Sequence, residues 1–335
     1  MSFPFFTKAR SQKQQLDLIR DELRLVQKQI AAQVTSFEPH VQDYMAQICK
    51  AQGKLIRPGL VLLTAGATGG IKPEHITFAA MLELVHMATL VHDDVLDHAD
   101  TRRDKPTPNA LWGNELAVLL GDVMLSHAMV MGTELGDTEF CRMIAQIVRD
   151  VCQGEVEQSS RLFDLDMTRA DYYELIRKKT ASLFAAAMKG AAWISGMPAD
   201  IVDELNRMGT LLGIAYQIYD DCLDMVGNEH SAGKTLHTDA EKGKLTLPVY
   251  FLLESSSDDI AAEVHDAIAR REGIDYERIS RTNAFQEAIS RSVDEGLAQT
   301  AAARESLWLL PQTPYRDALV EMTYRLDELL ENCRN

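Results

Sequence analysis

The sequence predicts an all-α protein, and three observations carry that prediction. Apolar residues recur at helical spacing: Leu16, Ile19, Leu23, Val26 and Ile30 step by three and four residues and draw one apolar stripe. Alternating strand-like runs bounded by hairpin turns do not occur in the sequence. Prolines mark junctions: Pro39, Pro58, Pro73, Pro106, Pro198 and Pro248 fall at or near the ends of helical stretches, where a missing N–H costs little.

The first stripe belongs to an N-terminal helical segment, residues 1–37, expected to pack on the rest. Further helices are expected over 41–51, 58–68, 74–98, 112–132, 138–162, 169–196, 199–226, 246–255, 258–271, 283–309 and 315–332. Three stretches are apolar nearly all round: Phe78–Val91, Leu116–Met131 and Leu183–Ile194. Helices of that kind sit in the middle of a large bundle. The 14 methionines partly concentrate there, at Met81, Met87, Met124, Met129, Met131 and Met188. Core filling is the plain reading; an apolar wall for a flexible hydrocarbon is the sharper one. No Ser/Pro-rich linker, low-complexity tract or internal period divides the chain, so residues 1–335 are expected to form one domain.

Composition is that of an ordinary globular chain, 46% hydrophobic and 25% charged. The net charge of −16 speaks against nucleic acid as a partner, because phosphate backbones need a basic footprint. It leaves room for a small anion bound by a local cluster of lysines and arginines. The five cysteines, Cys49, Cys141, Cys152, Cys222 and Cys333, are scattered and without zinc-like or redox spacing, which fits a reduced cytoplasmic setting. No signal peptide is expected from MSFPFFTKARSQKQQ, and no uninterrupted apolar run suggests a membrane span.

Two short stretches break this pattern. LVHDDVLD, from Leu90 to Asp97, ends one apolar helix with Asp93, Asp94 and Asp97; AYQIYDDCLD, from Ala215 to Asp224, ends another with Asp220, Asp221 and Asp224. On a helix, positions i and i+4 lie about 40° apart, so Asp93 shares a face with Asp97, and Asp220 with Asp224. Crowded carboxylates repel unless a cation sits among them. Hard oxygen ligands without cysteine or paired histidine point to Mg²⁺ over zinc. One Asp-Asp-x-x-Asp could be a solvated helix end; two, each closing a buried-type helix, weigh against that. A metal held by carboxylates alone keeps positions open for substrate phosphates, so diphosphate is the expected ligand.

Basic residues cluster near these motifs. Lys54 and Arg57 stand in Gly53-Lys54-Leu55-Ile56-Arg57-Pro58, Arg102 and Arg103 follow the first motif, and Lys178 and Lys179 precede an apolar run. Gly233-Lys234-Thr235 is followed by Asp239, Gly243, Lys244, Thr246 and Pro248. Each alone reads as a surface charge; together, beside two metal motifs, they describe a phosphate site. Gly233-Lys234-Thr235 imitates the end of a P-loop, but five residues separate Gly227 from Gly233 where four are needed, and a helix precedes it.

Taken together, these motifs resemble the trans-isoprenyl diphosphate synthases, or polyprenyl synthases, in order from Gly53 to Pro248. The resemblance implies an all-helical bundle around a deep central apolar cavity, a homodimer, and several Mg²⁺ ions per active site. It implies head-to-tail condensation of isopentenyl diphosphate with an allylic diphosphate. By position, Asp93, Asp97 and Asp220 resemble the main metal ligands, with Asp94, Asp221 and Asp224 completing the acidic faces. Lys54, Arg57, His86 and Arg103 resemble the isopentenyl diphosphate contacts; Arg102, Lys179, Thr180, Gln217, Lys234 and Lys244 resemble the allylic contacts. Asp93, Asp97, Asp220, Lys179 and Lys234 are thereby the expected catalytic set. Leu55 departs from the pattern, standing where many members carry arginine.

In the family, a large aromatic residue four or five positions before the first motif shortens the product. Here those positions are Thr89 and Ala88, both small, which resembles long-chain members and implies a product beyond geranylgeranyl diphosphate. The alternatives are a geranylgeranyl- or farnesyl-type short-chain synthase and the catalytic subunit of a heteromeric synthase. A terpene cyclase needs no second diphosphate site, so Lys54, Arg57 and Arg103 speak against it. A non-catalytic subunit or a helical scaffold leaves the two intact acidic motifs unexplained.

Overall fold

In the computed structural model the chain is helical almost throughout. Residues 17–50, 53–102, 105–227, 238–255 and 258–334 are described. In chain order the helices are α1 (Arg20–Gln33), α2 (Pro39–Lys50), α3 (Ile56–Ala67), α4 (Pro73–Leu96), α5 (Pro108–Trp112), α6 (Asn114–Glu134), α7 (Thr138–Ser160) and α8 (Arg169–Ile176). A π-helical turn, Arg177–Ala181, leads into α9 (Ser182–Ser195). Then follow α10 (Ala199–Val226), α11 (Thr238–Glu241), α12 (Leu247–Leu253), α13 (Asp258–Ala269), α14 (Tyr276–Ile279), α15 (Asn283–Leu307) and α16 (Pro314–Glu331). The one expectation that splits is the helix over 169–196, which the π turn divides. A two-stranded antiparallel ladder, β1 (Thr101–Arg102) with β2 (Lys105–Pro106), is the strand structure among the described residues.

The chain divides into two compact units. The divisions after Val148, Ser182, Gly209, Glu305 and Glu321 all fall inside helices.

The first unit takes in the chain up to Val148, Leu183–Gly209 and Ser306–Glu321. Its axis is α4, which packs most extensively on α6 and also against α1 and α3. The stripe of α1 is buried at Leu23, Val26 and Ile30, where α1 packs on α3 and α4. Helix α4 is buried on nearly every side from Phe78 to Val85, as its all-round apolarity predicts. Each Phe, Met, Leu or Val side chain of this stretch removed from water contributes about 1.5–3 kcal/mol. Gly190 of α9 is required by Phe78 of α4: a Cβ there would stand 2.1 Å from the ring. At the start of α4, buried His75 accepts the Lys72 N–H through Nδ1 (2.9 Å), so Nε2 carries the proton to the Ala191 carbonyl, 3.1 Å away. Two helices, Pro73–Leu96 and Asn114–Glu134, are long and apolar enough to cross a membrane by length and composition; the first is mostly buried within the fold.

The second unit takes in Arg149–Ser182, Thr210–Glu305 and the chain from Met322. Here α12 packs against α8 and α13. Helices α15 and α16 are joined by Arg304, which ion-pairs with Asp327, donates to the Thr323 hydroxyl (2.7 Å) and stacks on Tyr324. Gly296 lets α15 approach Leu330 of α16 closely, since a Cβ would come within 2.8 Å of it.

Candidate active site

Chemistry-bearing residues of the first unit gather at the two ends of short loops. At the entry to α3, Leu55 is 4% exposed and has a left-handed backbone (φ 49°). A bulky residue there is strained by about 1–3 kcal/mol. Leu55 therefore turns into the core where an arginine would have brought charge. Lys54 and Arg57 flank it, half-buried, and the Arg57 guanidinium lies over the Phe184 ring at 5.2 Å.

The first acidic motif closes α4. The chain leaves the helix through His98 in the left-handed region (φ 51°), with His98 N–H on the Val95 carbonyl and Ala99 N–H on that of Asp94. This is a Schellman ending, with histidine where glycine is usual. The Ala99 carbonyl then accepts from the Thr107 hydroxyl (2.7 Å) and the Asn109 amide (3.0 Å), which ties down the ladder carrying Arg102. Arg102 Nε donates to Asp94 Oδ1 at 2.8 Å, and Asp94 is buried. Burial pushes the Asp94 carboxyl up and Arg102 pulls it back down. Asp93 and Asp97 stay half-buried. His92, beside them, lies 3.1 Å from the Val118 carbonyl of α6, and Gly121 leaves room for its ring: a Cβ would stand 2.2 Å from Nε2.

Of the remaining first-unit candidates, His86 is half-buried and Ala88 fully buried. The Thr89 hydroxyl donates to the His86 carbonyl of its own helix (2.8 Å), so it is satisfied internally. No Phe, Tyr or Trp occurs on α4 between Phe78 and Ala88.

In the second unit, Lys179 and Thr180 sit on the π turn. Such turns recur at functional sites. Lys179 pairs with Glu155 and Gln158 of α7, and Lys178 with Glu157 (3.0 Å). The Thr180 hydroxyl donates to Gln217 Oε1 (2.6 Å), and Gln217 Nε2 donates to Asp221 Oδ1 (2.8 Å). The other Asp221 oxygen accepts from the Tyr172 hydroxyl at 2.7 Å. Asp221 is pushed up to about 8, mainly by burial and then by Asp239, against the pull of those two hydrogen bonds. Buried Asp224 accepts from the Asp239 N–H at 3.4 Å. Lys244 is anchored to the same residue, by N–H to the Asp239 carbonyl (2.8 Å) and by Nζ to its carboxylate (3.8 Å). Phe163, left-handed at φ 62°, covers Gly243 and donates its N–H to the Gly243 carbonyl (2.8 Å).

The six aspartates thus fall into two sets. Asp93, Asp97 and Asp220 remain half-buried; Asp94, Asp221 and Asp224 are buried on protein partners. Within the second motif, both on α10, Asp220 is half-buried while buried Asp224 accepts from the Asp239 N–H. Among the described residues no three His, Cys, Asp or Glu side chains form a ready metal cage. Hard carboxylates without such a cage suit Mg²⁺, which keeps waters and takes phosphate oxygens. Arg103 and Lys234 lie outside the described residues. The sequence pattern alone does not single out Tyr172, Glu155, Gln158 or His92, and the Gly233–Pro248 motif gives Asp239 no role. A tyrosine two turns before Lys179 needed a partner for its hydroxyl, but nothing in the sequence names Asp221 as that partner.

The family profile described as polyprenyl synthetase matches residues 38–283. The chain belongs to that family. Solanesyl diphosphate synthase 1, chloroplastic, of Arabidopsis thaliana is 35% identical over 323 residues, covering 93% of this chain and 78% of that one. Octaprenyl diphosphate synthase of Escherichia coli is 32% identical, covering 92% and 96%. The crystal structure of a decaprenyl diphosphate synthase from Rhodobacter capsulatus superposes with a TM-score of 0.83 at 30% identity, covering 96% of this chain and 99% of that one. A polyprenyl synthase from Caulobacter crescentus, complexed with calcium and isoprenyl diphosphate, gives 0.86 at 29% identity, covering 94% and 97%. The all-α fold is that of the isoprenyl synthases, and the protein is a trans-polyprenyl diphosphate synthase.

Proposed function

We propose that this prenyltransferase condenses isopentenyl diphosphate head-to-tail with an allylic diphosphate, with Mg²⁺, and makes a long all-trans polyprenyl diphosphate. The observation that carries the reading is the sorting of the aspartates. In each motif the second residue is buried against protein donors, and the first is half-buried. Asp93, Asp97 and Asp220 would hold the ions; Asp94, Asp221 and Asp224 support them. When bound, the ions supply charge neutralisation on the diphosphate. Arg102, Lys179, Lys234, Lys244, Thr180 and Gln217 take the allylic diphosphate, and the cations stabilise it as a leaving group. Lys54, Arg57, His86 and Arg103 fix isopentenyl diphosphate, whose double bond attacks the allylic carbon. The released diphosphate accepts the proton. Buried, apolar α4 keeps water from the cation.

Small Ala88 and internally satisfied Thr89 support a long product, as does the length of helix without Phe, Tyr or Trp between Phe78 and Ala88, about 15 Å at the α-helical rise. A homodimer is supported by α6, which exposes Val118, Leu119, Met129 and Val130 on one face. A cytoplasmic setting is supported by five free cysteines.

The test is direct. The purified protein, given isopentenyl diphosphate, farnesyl diphosphate and Mg²⁺, extends the primer beyond geranylgeranyl length on chromatography, and EDTA stops it. Absence of extension overturns the proposal. Ala88→Phe is expected to shorten the product; identical products from both proteins remove α4 from length control.

A further inference from the structure

The sequence assigned no role to Tyr172, and the reaction as described does not use it. Its ring is 1% exposed and packs edge-on between Tyr173 (5.5 Å) and Tyr250 (6.1 Å). A phenylalanine would fill that space equally well. The hydroxyl is what distinguishes it, and its hydrogen bond joins a set that converges on Asp221: Tyr172 to Asp221, Gln217 to Asp221, Thr180 to Gln217. Tyr172 donates to one Asp221 oxygen and the Gln217 NH₂ to the other, which leaves the Gln217 carbonyl towards Thr180. That carbonyl then accepts the Thr180 hydrogen bond and fixes the hydroxyl's orientation, one residue from Lys179 on the π turn. Both Asp221 oxygens are spent in this way.

We propose that Tyr172 is a positioning residue for the allylic diphosphate: by anchoring Asp221 it sets the Gln217 amide, and through it the Thr180 hydroxyl. Without the phenol, one Asp221 oxygen loses its donor and the carboxylate can turn. The Gln217 amide then has no fixed direction, and Thr180 points its proton where chance leaves it. Isopentenyl diphosphate is bound by other residues and does not feel the change.

This rests on the prenyltransferase reading, and Tyr172→Phe tests it. Initial rates with farnesyl diphosphate and isopentenyl diphosphate are measured for wild type, Tyr172→Phe, Gln217→Ala and the double variant, with melting temperatures alongside. The KM for farnesyl diphosphate is expected to rise roughly tenfold in Tyr172→Phe while that for isopentenyl diphosphate stays within about twofold. In the Gln217→Ala background the same change is expected to add less than about twofold, because the chain is already cut. Equal losses for both substrates, unchanged kinetics, full additivity with Gln217→Ala, or a variant that does not fold would each overturn the role. A wild type that extends no primer overturns the prenyltransferase reading itself and this inference with it; an active wild type with an unaffected variant overturns this inference alone.

Discussion

The two aspartate motifs share a spelling and differ in how they are held. The buried aspartate of the first, Asp94, takes a charged partner only eight residues on, Arg102. The buried aspartate of the second, Asp221, takes neutral donors, and one of them, Tyr172, stands 49 residues away in sequence. The first motif is therefore a local device: helix end, left-handed His98, ladder and arginine follow one another in fewer than twenty residues. The second is assembled from distant segments, with Tyr172, Thr180 and Asp239 converging on α10, where Gln217 stands one turn before Asp221. Local contacts cost little loop-closure entropy, whereas distant ones must be held by packing. The same chemical pattern can thus be built by two routes, and only the first can be read from adjacent residues.

The comparison breaks most sharply at the half-open aspartates. Asp93→Ala and Asp220→Ala are each expected to lower turnover by about 10²–10³-fold with little change in melting temperature. If one does so and the other does not, the motifs are unequal in chemistry as well as in construction. Next in size is the buried partner. Asp94→Ala strands Arg102, and activity is expected to fall roughly 10- to 100-fold, mostly through the KM of the allylic substrate. A kinetic profile like that of Asp93→Ala would instead make Asp94 a metal ligand.

Smaller effects separate the supports of each motif. Gly121→Ala drives a methyl into the rigid imidazole of His92, 2.2 Å from Nε2, and is expected to destabilise by about 1–3 kcal/mol in denaturant titration. Gly154→Ala meets the Lys179 side chain at 2.7 Å, a flexible stem that can move aside, so it is expected to cost less. The reverse order would show the first motif to be the more yielding. The smallest effect lies at the start of α4. Burial holds the His75 imidazole below its usual value. The unfolded chain therefore takes up the proton first, so stability is full above the ordinary histidine value near 6.5 and falls as pH drops through it. Urea midpoints at pH 7.5 and 5.5 are expected to differ more for wild type than for His75→Asn.

Much of the fold was legible because apolar period and proline position are written residue by residue. Helix α10 runs over the predicted 199–226 without change. The break at Arg177–Ala181 was not legible, because a π turn inserts one residue into a continuous helical pattern and leaves the apolar spacing nearly intact. The short helices α5, α11 and α14 were missed for a related reason: one turn is too brief to show a period. At the site, the residue types of both motifs declared themselves. Which aspartate of each would be buried did not, since i/i+4 geometry treats the outer positions alike and cannot see Asp239 or Tyr172.

The divisions between the units, all placed within helices, have a consequence for how such a protein can be inherited or dissected. Each unit is woven from three separate stretches of chain, so neither corresponds to a contiguous piece of gene. A cut after Val148 would sever a helix in mid-course and orphan four amides on one side and four carbonyls on the other. Recombination must therefore transmit this architecture whole.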